Sequence, residues 1–99
     1  MDKKVQITWS PASLRDLEEA FPYIAEDSPE RARKWAVELR RNVVRLEKFP
    51  LSGRKVPELE SPLHEILVGS YRIFYEVRGS RLFILRILHG KRFFEKVLF

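Results

Sequence analysis

The sequence predicts an α+β fold in which a helical hairpin covers one face of a largely antiparallel sheet. The predicted chain order is one strand, two helices and then three strands, so helices and strands are each grouped together. Short glycine-containing turns join the last three strands, which must therefore run antiparallel to their neighbours. A chain of 99 residues builds one core, so we expect a single domain over residues 1–99.

The first two elements are predicted from a change in periodicity. Apolar and polar residues alternate over 4–9, which is typical of a half-buried strand. Ser10 and Pro11 then mark a helix start, with the serine as N-cap and the proline in the first turn. Pro22 lies inside the helical pattern that follows. We expect it to kink or divide the helix, because proline removes a backbone hydrogen bond and clashes with the preceding turn.

The second helix has the same start signal, Ser28 followed by Pro29. An apolar stripe continues from there for about five turns, and Phe49-Pro50 ends it. A few residues around Asp27 should join the two helices into an antiparallel hairpin. The stripe consists of Ala32, Trp35, Ala36, Leu39, Val43 and Leu46.

The second half of the chain is predicted to be a loop followed by strands. Residues 51–57 are assigned to the loop, and the strands are predicted over 63–68, 71–77 and 81–89. Residues 91–99 are predicted to form a short helical turn or an additional strand.

Simple alternation assigns each strand side chain to a face of the sheet. In the middle strand, Tyr71, Ile73, Tyr75 and Val77 share one face, and Arg72, Phe74 and Glu76 share the other. In the last strand, odd-numbered residues from 83 to 89 are assigned to one face and even-numbered residues from 82 to 88 to the other. One face should meet the helices, and the other should be open.

Composition limits the chemistry that the chain can perform. There is no cysteine, which excludes disulfides, zinc–thiolate sites and thiol catalysis. No nucleotide-binding, metal-binding or nucleophile-triad motif is visible, so we expect neither a cofactor nor a metal ion. No apolar run is long enough for a membrane span or a signal peptide, and we therefore expect a cytoplasmic protein.

The formal net charge of +5 belongs mainly to the second half of the chain. Residues 1–50 contain ten Lys/Arg and nine Asp/Glu, whereas residues 51–99 contain nine and five. This asymmetry favours an anionic partner, such as nucleic acid or an acidic polypeptide. A basic protein with no such partner fits the composition equally well.

The candidate functional residues are cations on the sheet face that should be open. Arg72, Arg86 and His89 are placed on the sheet by the strand pattern, with His64 on the preceding strand. Cations that converge on one point would stabilise a phosphodiester as its charge grows in a transition state. His89 is a candidate general acid or base, or else a half-buried structural histidine. The expected rim residues are Arg54, Lys55, Lys91 and Arg92. The alternative is that these arginines are solvated and have no function.

Four segments carry the information about family. They are ITWSPASLRDLEEAFPYIAEDSPERARKW, LEKFPLSGRKVPEL, GSYRIFYEV and ILRILHGKR. In this order and spacing they resemble the RelE/ParE superfamily, the toxins of type II toxin–antitoxin systems, over nearly the whole chain. The resemblance implies a toxin neutralised by a cognate antitoxin protein in a hetero-oligomer. Phe93, Phe94 and Leu98 are then candidates for the antitoxin contact, or alternatively close the core.

The superfamily resemblance implies one of two targets. RelE-like members cut messenger RNA on the ribosome with basic strand residues, whereas ParE-like members poison DNA gyrase. On the nuclease interpretation, Arg72 and Arg92 match arginines of the catalytic site, and His89 matches a catalytic histidine.

The nuclease set is incomplete in this sequence. The strand that carries lysines or arginines in nucleases has Leu63 and Glu65 here, with only His64 as a possible base. The C-terminal catalytic tyrosine also has no counterpart, because Gly90 and Leu98 occupy the candidate positions. We therefore expect a ParE-like toxin that poisons DNA gyrase. A ribosome-dependent mRNA endoribonuclease is the alternative, and a non-toxic binding module on the same fold is a second alternative.

Overall fold

The computed structural model describes residues 4–57 and 59–90, and within them it confirms the predicted α+β class. Two helices and five strands are present in this part of the chain. In chain order they are β1 (Gln6–Trp9), α1 (Pro11–Asp27), α2 (Pro29–Lys48), β2 (Arg54–Lys55), β3 (His64–Val68), β4 (Tyr71–Arg78) and β5 (Arg81–His89). The element expected over 91–99 lies outside the described residues.

The strands form one mixed sheet in the order β1-β5-β4-β3-β2. β1 pairs in parallel with the first half of β5, and the other pairs are antiparallel. The two-residue strand β2 lies within the segment that was predicted to be a loop over 51–57. Two consecutive basic residues carry no alternation, so only their pairing with His64 and Glu65 identifies them as a strand.

The helical hairpin is tighter than the sequence predicts. A single residue, Ser28, connects the helices: its N–H donates to the Ile24 carbonyl at 3.0 Å and ends α1. Its hydroxyl accepts the Arg31 N–H at 3.1 Å and begins α2. α1 also continues through Pro22 without being divided. Pro22 is on the exposed side of the helix, where water can satisfy the carbonyl that lacks its usual donor.

The main core lies between the hairpin and the sheet. Five of the six residues of the predicted α2 stripe are buried, and Ala36 is half-buried. The buried ones are Ala32, Trp35, Leu39, Val43 and Leu46. Alternate residues of β4 face the helices, as predicted. The buried residues of this helix-side core are Ala20, Trp35, Leu39, Val43, Leu46, Val68, Tyr71, Ile73, Tyr75, Leu82, Ile84 and Ile87.

The predicted faces of β5 are wrong in its second half, because the strand contains a bulge. The register with β4 shifts between Phe74 and Tyr75, which leaves Leu85 as the extra residue. Ile84 and Ile87 were assigned to opposite faces, yet both pack in the helix-side core. Strict alternation cannot reveal a bulge, because it assumes one partner for every residue.

The second face of the sheet is partly covered, whereas the strand pattern alone predicts an open face. The segment between β2 and β3 folds over it, and Val56 and Leu63 pack against Phe74 and Leu88. The charged side chains of β3 and β4 on this face therefore lie beside this small apolar core, the second-face core, and not on an open surface. Over the described ranges, neither helix combines the length and the apolar composition needed to cross a bilayer.

Candidate functional site

The charged cluster on the second face is centred on Glu65, whose side chain is fully inaccessible to solvent. Glu65 Oε1 accepts a hydrogen bond from Arg72 Nε at 2.6 Å. Glu65 Oε2 accepts one from Arg54 Nε, also at 2.6 Å. A buried carboxylate costs several kcal/mol in lost hydration unless it is paired and hydrogen-bonded. The two guanidinium groups supply that compensation, so this Arg54–Glu65–Arg72 cluster carries a formal charge of +1.

Strand pairing brings the three side chains together. The β2–β3 register sets Arg54 opposite Glu65, and the β3–β4 register sets Phe74 opposite the same residue. Arg72 lies two residues before Phe74 on the same face, within reach of the carboxylate. The Arg72 Cζ atom also lies 5.0 Å from the centre of the Phe74 ring, a cation–π contact. The carboxylate and the ring together fix the orientation of Arg72.

Arg86 is held by the first helix. Its Nε donates to Asp16 Oδ2 at 2.8 Å, and its Nη2 donates to Asp16 Oδ1 at 3.0 Å. The hydrogen bond to Asp16 raises the pKa of Arg86 above its ordinary value, burial opposes this, and the charges of Asp16 and Glu19 add to it. Arg86 is therefore an anchor between β5 and α1 as well as a candidate site residue.

The histidine of β5 lies on the helix side of the sheet. His89 is opposite Tyr71, and their rings meet edge to face with centres 5.3 Å apart. Tyr71 in turn contacts Trp35, whose Nε1 donates to the Val68 carbonyl at 2.9 Å. Arg72 follows Tyr71 in the strand and points to the second face. The sheet therefore separates the ring of His89 from the Arg72 guanidinium.

The histidine of β3 is also engaged in a structural contact. His64 lies opposite Tyr75 and stacks on it with ring centres 5.6 Å apart, and its Nδ1 is 3.2 Å from the Pro62 carbonyl oxygen. The Tyr75 hydroxyl accepts the Gly53 N–H at 2.9 Å. Burial raises the pKa of Tyr75, and the hydrogen bond from Gly53 opposes that shift.

Of the predicted site residues, the structure brings Arg54 and Arg72 together on one carboxylate. His64, Arg86 and His89 each have a different contact partner, and Lys55 is exposed opposite His64. The remaining candidates, Lys91, Arg92, Phe93, Phe94 and Leu98, lie outside the described residues.

Sequence reasoning missed the two carboxylates that hold these arginines. From the sequence alone, Glu65 is only a departure from the nuclease pattern, and nothing singles out Asp16. The available signal for Glu65 was its place in a strand of mainly apolar residues, because a fully buried glutamate is rare unless it is paired. No sequence signal joins Asp16 to Arg86, which is 70 residues away.

A cleft of about 670 Å³ lies between the hairpin end of the helices and the β3–β4 turn. Aromatic side chains line it, including Tyr23, Trp35 and Tyr71, together with His89. Charged residues of both signs from the helices complete its wall. Within residues 4–57 and 59–90, no group of three or more His, Cys, Asp or Glu side chains is arranged to hold a metal ion.

Comparison with protein families gives a match over residues 7–94 to the model of the ParE toxin of the type II toxin–antitoxin system parDE. A curated relative, Toxin RelE2 of Caulobacter vibrioides, is 31% identical over 87 residues. These residues make up 88% of this chain and 97% of the relative.

Two solved structures have the same fold. One, of the chromosomal ParDE toxin–antitoxin system from P. aeruginosa, has a TM-score of 0.72 and 20% identity, with 89% of this chain and 98% of that chain covered. The other is the toxin–antitoxin complex RelBE2 from Mycobacterium tuberculosis. It has a TM-score of 0.59 and 21% identity, with 87% and 98% covered.

Proposed function

Since the chain belongs to the ParE family within the RelE/ParE superfamily of type II toxins, we propose that it arrests growth by poisoning DNA gyrase. The pairing of Arg72 with the buried Glu65 carboxylate carries this proposal. This pair engages Arg72 in a structural contact, whereas a messenger-RNA nuclease would need the same arginine for catalysis.

A nuclease needs cationic groups that strengthen their hold on the phosphate as negative charge develops in the transition state. Arg72 already donates to Glu65 at 2.6 Å, and only 11% of its side chain is exposed. To bind a phosphodiester, Arg72 would have to break its hydrogen bond to the fully buried Glu65 carboxylate. Breaking such a pair costs about 3–5 kcal/mol, which opposes any catalytic gain.

The positions of the histidines also favour a function other than RNA cleavage. A general base must lie within about 3 Å of the proton that it removes, directly or through one water. His89 packs against Tyr71 on the helix side, whereas Arg72 lies on the opposite face. These two groups do not converge on a single phosphodiester in the geometry described.

Messenger-RNA cleavage is the second candidate, and the name of the Caulobacter relative is the observation that favours it. The two targets make opposite predictions in purified systems. We expect the protein to inhibit supercoiling by DNA gyrase and to accumulate cleaved gyrase–DNA complexes. We expect it to leave ribosome-bound messenger RNA intact.

Substitution of Arg72 sharpens this experiment. A nuclease that uses Arg72 should lose about a hundredfold or more in cleavage rate in Arg72→Ala. Gyrase poisoning by the same variant should change only in proportion to the fraction that is folded, measured by circular dichroism. Arg81→Ala is the matched control, because it removes an exposed strand arginine. Efficient cutting of messenger RNA with gyrase unaffected would overturn the proposal.

We also propose that a cognate antitoxin protein binds this toxin in a hetero-oligomer. The two solved structures described above come from toxin–antitoxin systems, and the chain carries a net charge of +5 that suits an acidic partner segment. Induced expression should stop growth, and co-expression of the cognate antitoxin should restore it. Harmless expression at a verified protein level would contradict both proposals.

A further inference from the structure

We propose that Arg54 and Arg72 form an anion-binding site that the chain fills with its own Glu65 carboxylate, and that removal of this carboxylate opens the site to a phosphate-sized oxyanion. This inference goes beyond the proposed function and does not depend on it. It concerns the Arg54–Glu65–Arg72 cluster alone.

The first argument is the convergence of donors. Two guanidinium groups from different strands each donate an Nε–H to one oxygen of the same carboxylate at 2.6 Å. Charge-assisted bonds of this length are strong, and the planar guanidinium suits phosphate as well as carboxylate. The donor set is therefore one that a tetrahedral oxyanion can use.

The second argument is that the site is built into the sheet. Arg54, Glu65 and Arg72 stand on three neighbouring strands whose registers set their spacing. The Phe74 ring supports Arg72 from below and is itself fully buried. Across residues 4–57 and 59–90, no buried side-chain nitrogen or oxygen lacks a hydrogen-bond partner. The Glu65 carboxylate thus accepts the hydrogen bonds that Arg54 and Arg72 donate on this face of the sheet.

The third argument concerns access. The side chain of Arg54 is 61% exposed, that of Arg72 is 11% exposed and that of Glu65 is inaccessible. The solvent-exposed Arg54 guanidinium is therefore the side from which an external anion would approach once the Glu65 carboxylate is removed. In the wild-type chain the tethered carboxylate has a large advantage over a dissolved anion, because its translational entropy is already lost. The wild-type site is accordingly closed to phosphate.

The test is a titration of Glu65→Ala with inorganic phosphate, followed by the NMR signals of the arginine Nε–H groups. We expect saturable shifts of the Arg54 and Arg72 signals. The apparent affinity should be about tenfold or more above that of wild type, because hydrogen bonds to charged groups carry that much discrimination. Chloride at matched ionic strength should produce no saturable shift.

Glu76→Ala is the matched control, since it removes one carboxylate from the neighbouring strand and leaves Glu65 in place. It should behave like wild type toward phosphate. The double variant Glu65→Ala with Arg72→Ala should lose the response. A response that survives in the double variant, or that equals the response of Glu76→Ala, would refute the proposal.

A second measurement guards against loss of folding in Glu65→Ala. The isosteric variant Glu65→Gln keeps the shape of the side chain and removes its charge. Phosphate should raise the thermal midpoint of both Glu65 variants more than that of Glu76→Ala, because a ligand that binds only the folded state stabilises it. Equal shifts in all three variants would contradict the presence of an opened site.

Discussion

Single residues in this molecule show how a strand can contain a buried charge. Glu65 has no access to solvent, and its two oxygens are each satisfied by one arginine. The hydroxyl group of the buried Tyr75 is also hydrogen-bonded, since its oxygen accepts the Gly53 N–H at 2.9 Å. The close approach of Gly53 requires glycine, because a Cβ atom there would lie 2.5 Å from the Tyr75 hydroxyl and 2.6 Å from the Glu65 carbonyl oxygen. The phenol and the glycine therefore form one packing unit beside the charged cluster.

Replacement of Tyr75 by phenylalanine should change the alkaline stability of the protein. At neutral pH, Tyr75→Phe should lower the free energy of unfolding by about 1 kcal/mol, because Gly53 N–H loses its acceptor. Burial raises the pKa of Tyr75 in the folded state above its ordinary value of 10.0. Above pH 10 the unfolded tyrosine releases its proton while the folded one keeps it, so wild-type stability falls as pH rises. The difference between the two proteins should therefore shrink above pH 10.

Urea unfolding at pH values from about 7 to 11 measures this effect. Tyr23→Phe is the control, because Tyr23 is 64% exposed and its loss should leave the alkaline slope unchanged. Identical slopes for wild type and Tyr75→Phe would show that the Tyr75 phenol does not hold its proton in the folded state.

Several helices and strands of this fold are joined by tertiary contacts that short-range sequence patterns do not predict. The two helices and the long strands follow from Ser-Pro caps and from hydrophobic periodicity, and their bounds agree closely with the predicted ones. β2 could not be predicted, because its two residues become a strand only through their pairing with β3. The bulge at Leu85 could not be predicted either, since apolar residues occupy both odd and even positions of residues 82–88 and an extra residue breaks no visible alternation. The arginines of the candidate site were predicted, whereas their carboxylate partners are set by tertiary contacts.

The junction between α1 and β5 shows the importance of one such contact. β1 ends at Trp9, so among residues 4–57 and 59–90 no strand pairs with the second half of β5 on that side. The start of α1 takes its place: Ser10 N–H donates to the Ile84 carbonyl, and Ser10 Oγ donates to the Leu85 carbonyl. Asp16 Oδ2 then accepts the Ile87 N–H at 2.9 Å. An exposed strand edge is protected in this way from pairing with another chain.

Loss of the Asp16 carboxylate should be costly. Asp16→Ala removes the acceptor for Ile87 N–H and the carboxylate that Arg86 contacts twice, and both side chains are largely buried. We expect the free energy of unfolding to fall by about 3 kcal/mol, as for other buried ion pairs that lose one partner. Asp16→Asn keeps an oxygen acceptor and should cost less. Chemical denaturation measures both losses.

Glu18→Ala is the control for Asp16→Ala, because Glu18 is an exposed carboxylate on the same helix. It should change stability by no more than about 0.5 kcal/mol. A loss of similar size in Asp16→Ala and Glu18→Ala would mean that the contact with β5 contributes little.

The whole molecule is a sheet with two unequal cores. Among the described residues, the helix-side core contains twelve buried side chains and the second-face core contains four. In the sheet formed by the described strands, β4 and β5 lie inside, and β2, with two residues, is at one edge. Local opening requires least free energy where few apolar contacts must be broken. The β2 segment should therefore open before the centre of the sheet.

Native-state hydrogen exchange tests this difference in stability. The amide of Val56, which donates to the Leu63 carbonyl at 3.1 Å, should exchange about a hundredfold or more faster than amides of Ile73 and Leu82. Its exchange should also be nearly independent of low denaturant concentrations, which is the mark of local opening. Equal protection at these three positions would indicate that both cores open together.

The parallel pairing of β1 with β5 has a consequence for the order of events during biosynthesis. Gln6 lies opposite Arg81, so the first strand of the sheet acquires its neighbour only after some 75 further residues have been translated. A nascent chain that ends before β5 can form the two helices, but it lacks the strand that joins β1 to the rest of the sheet. Products that terminate before β5 should consequently be recognised as unfolded and degraded, because the complete sheet requires translation through His89, where β5 ends.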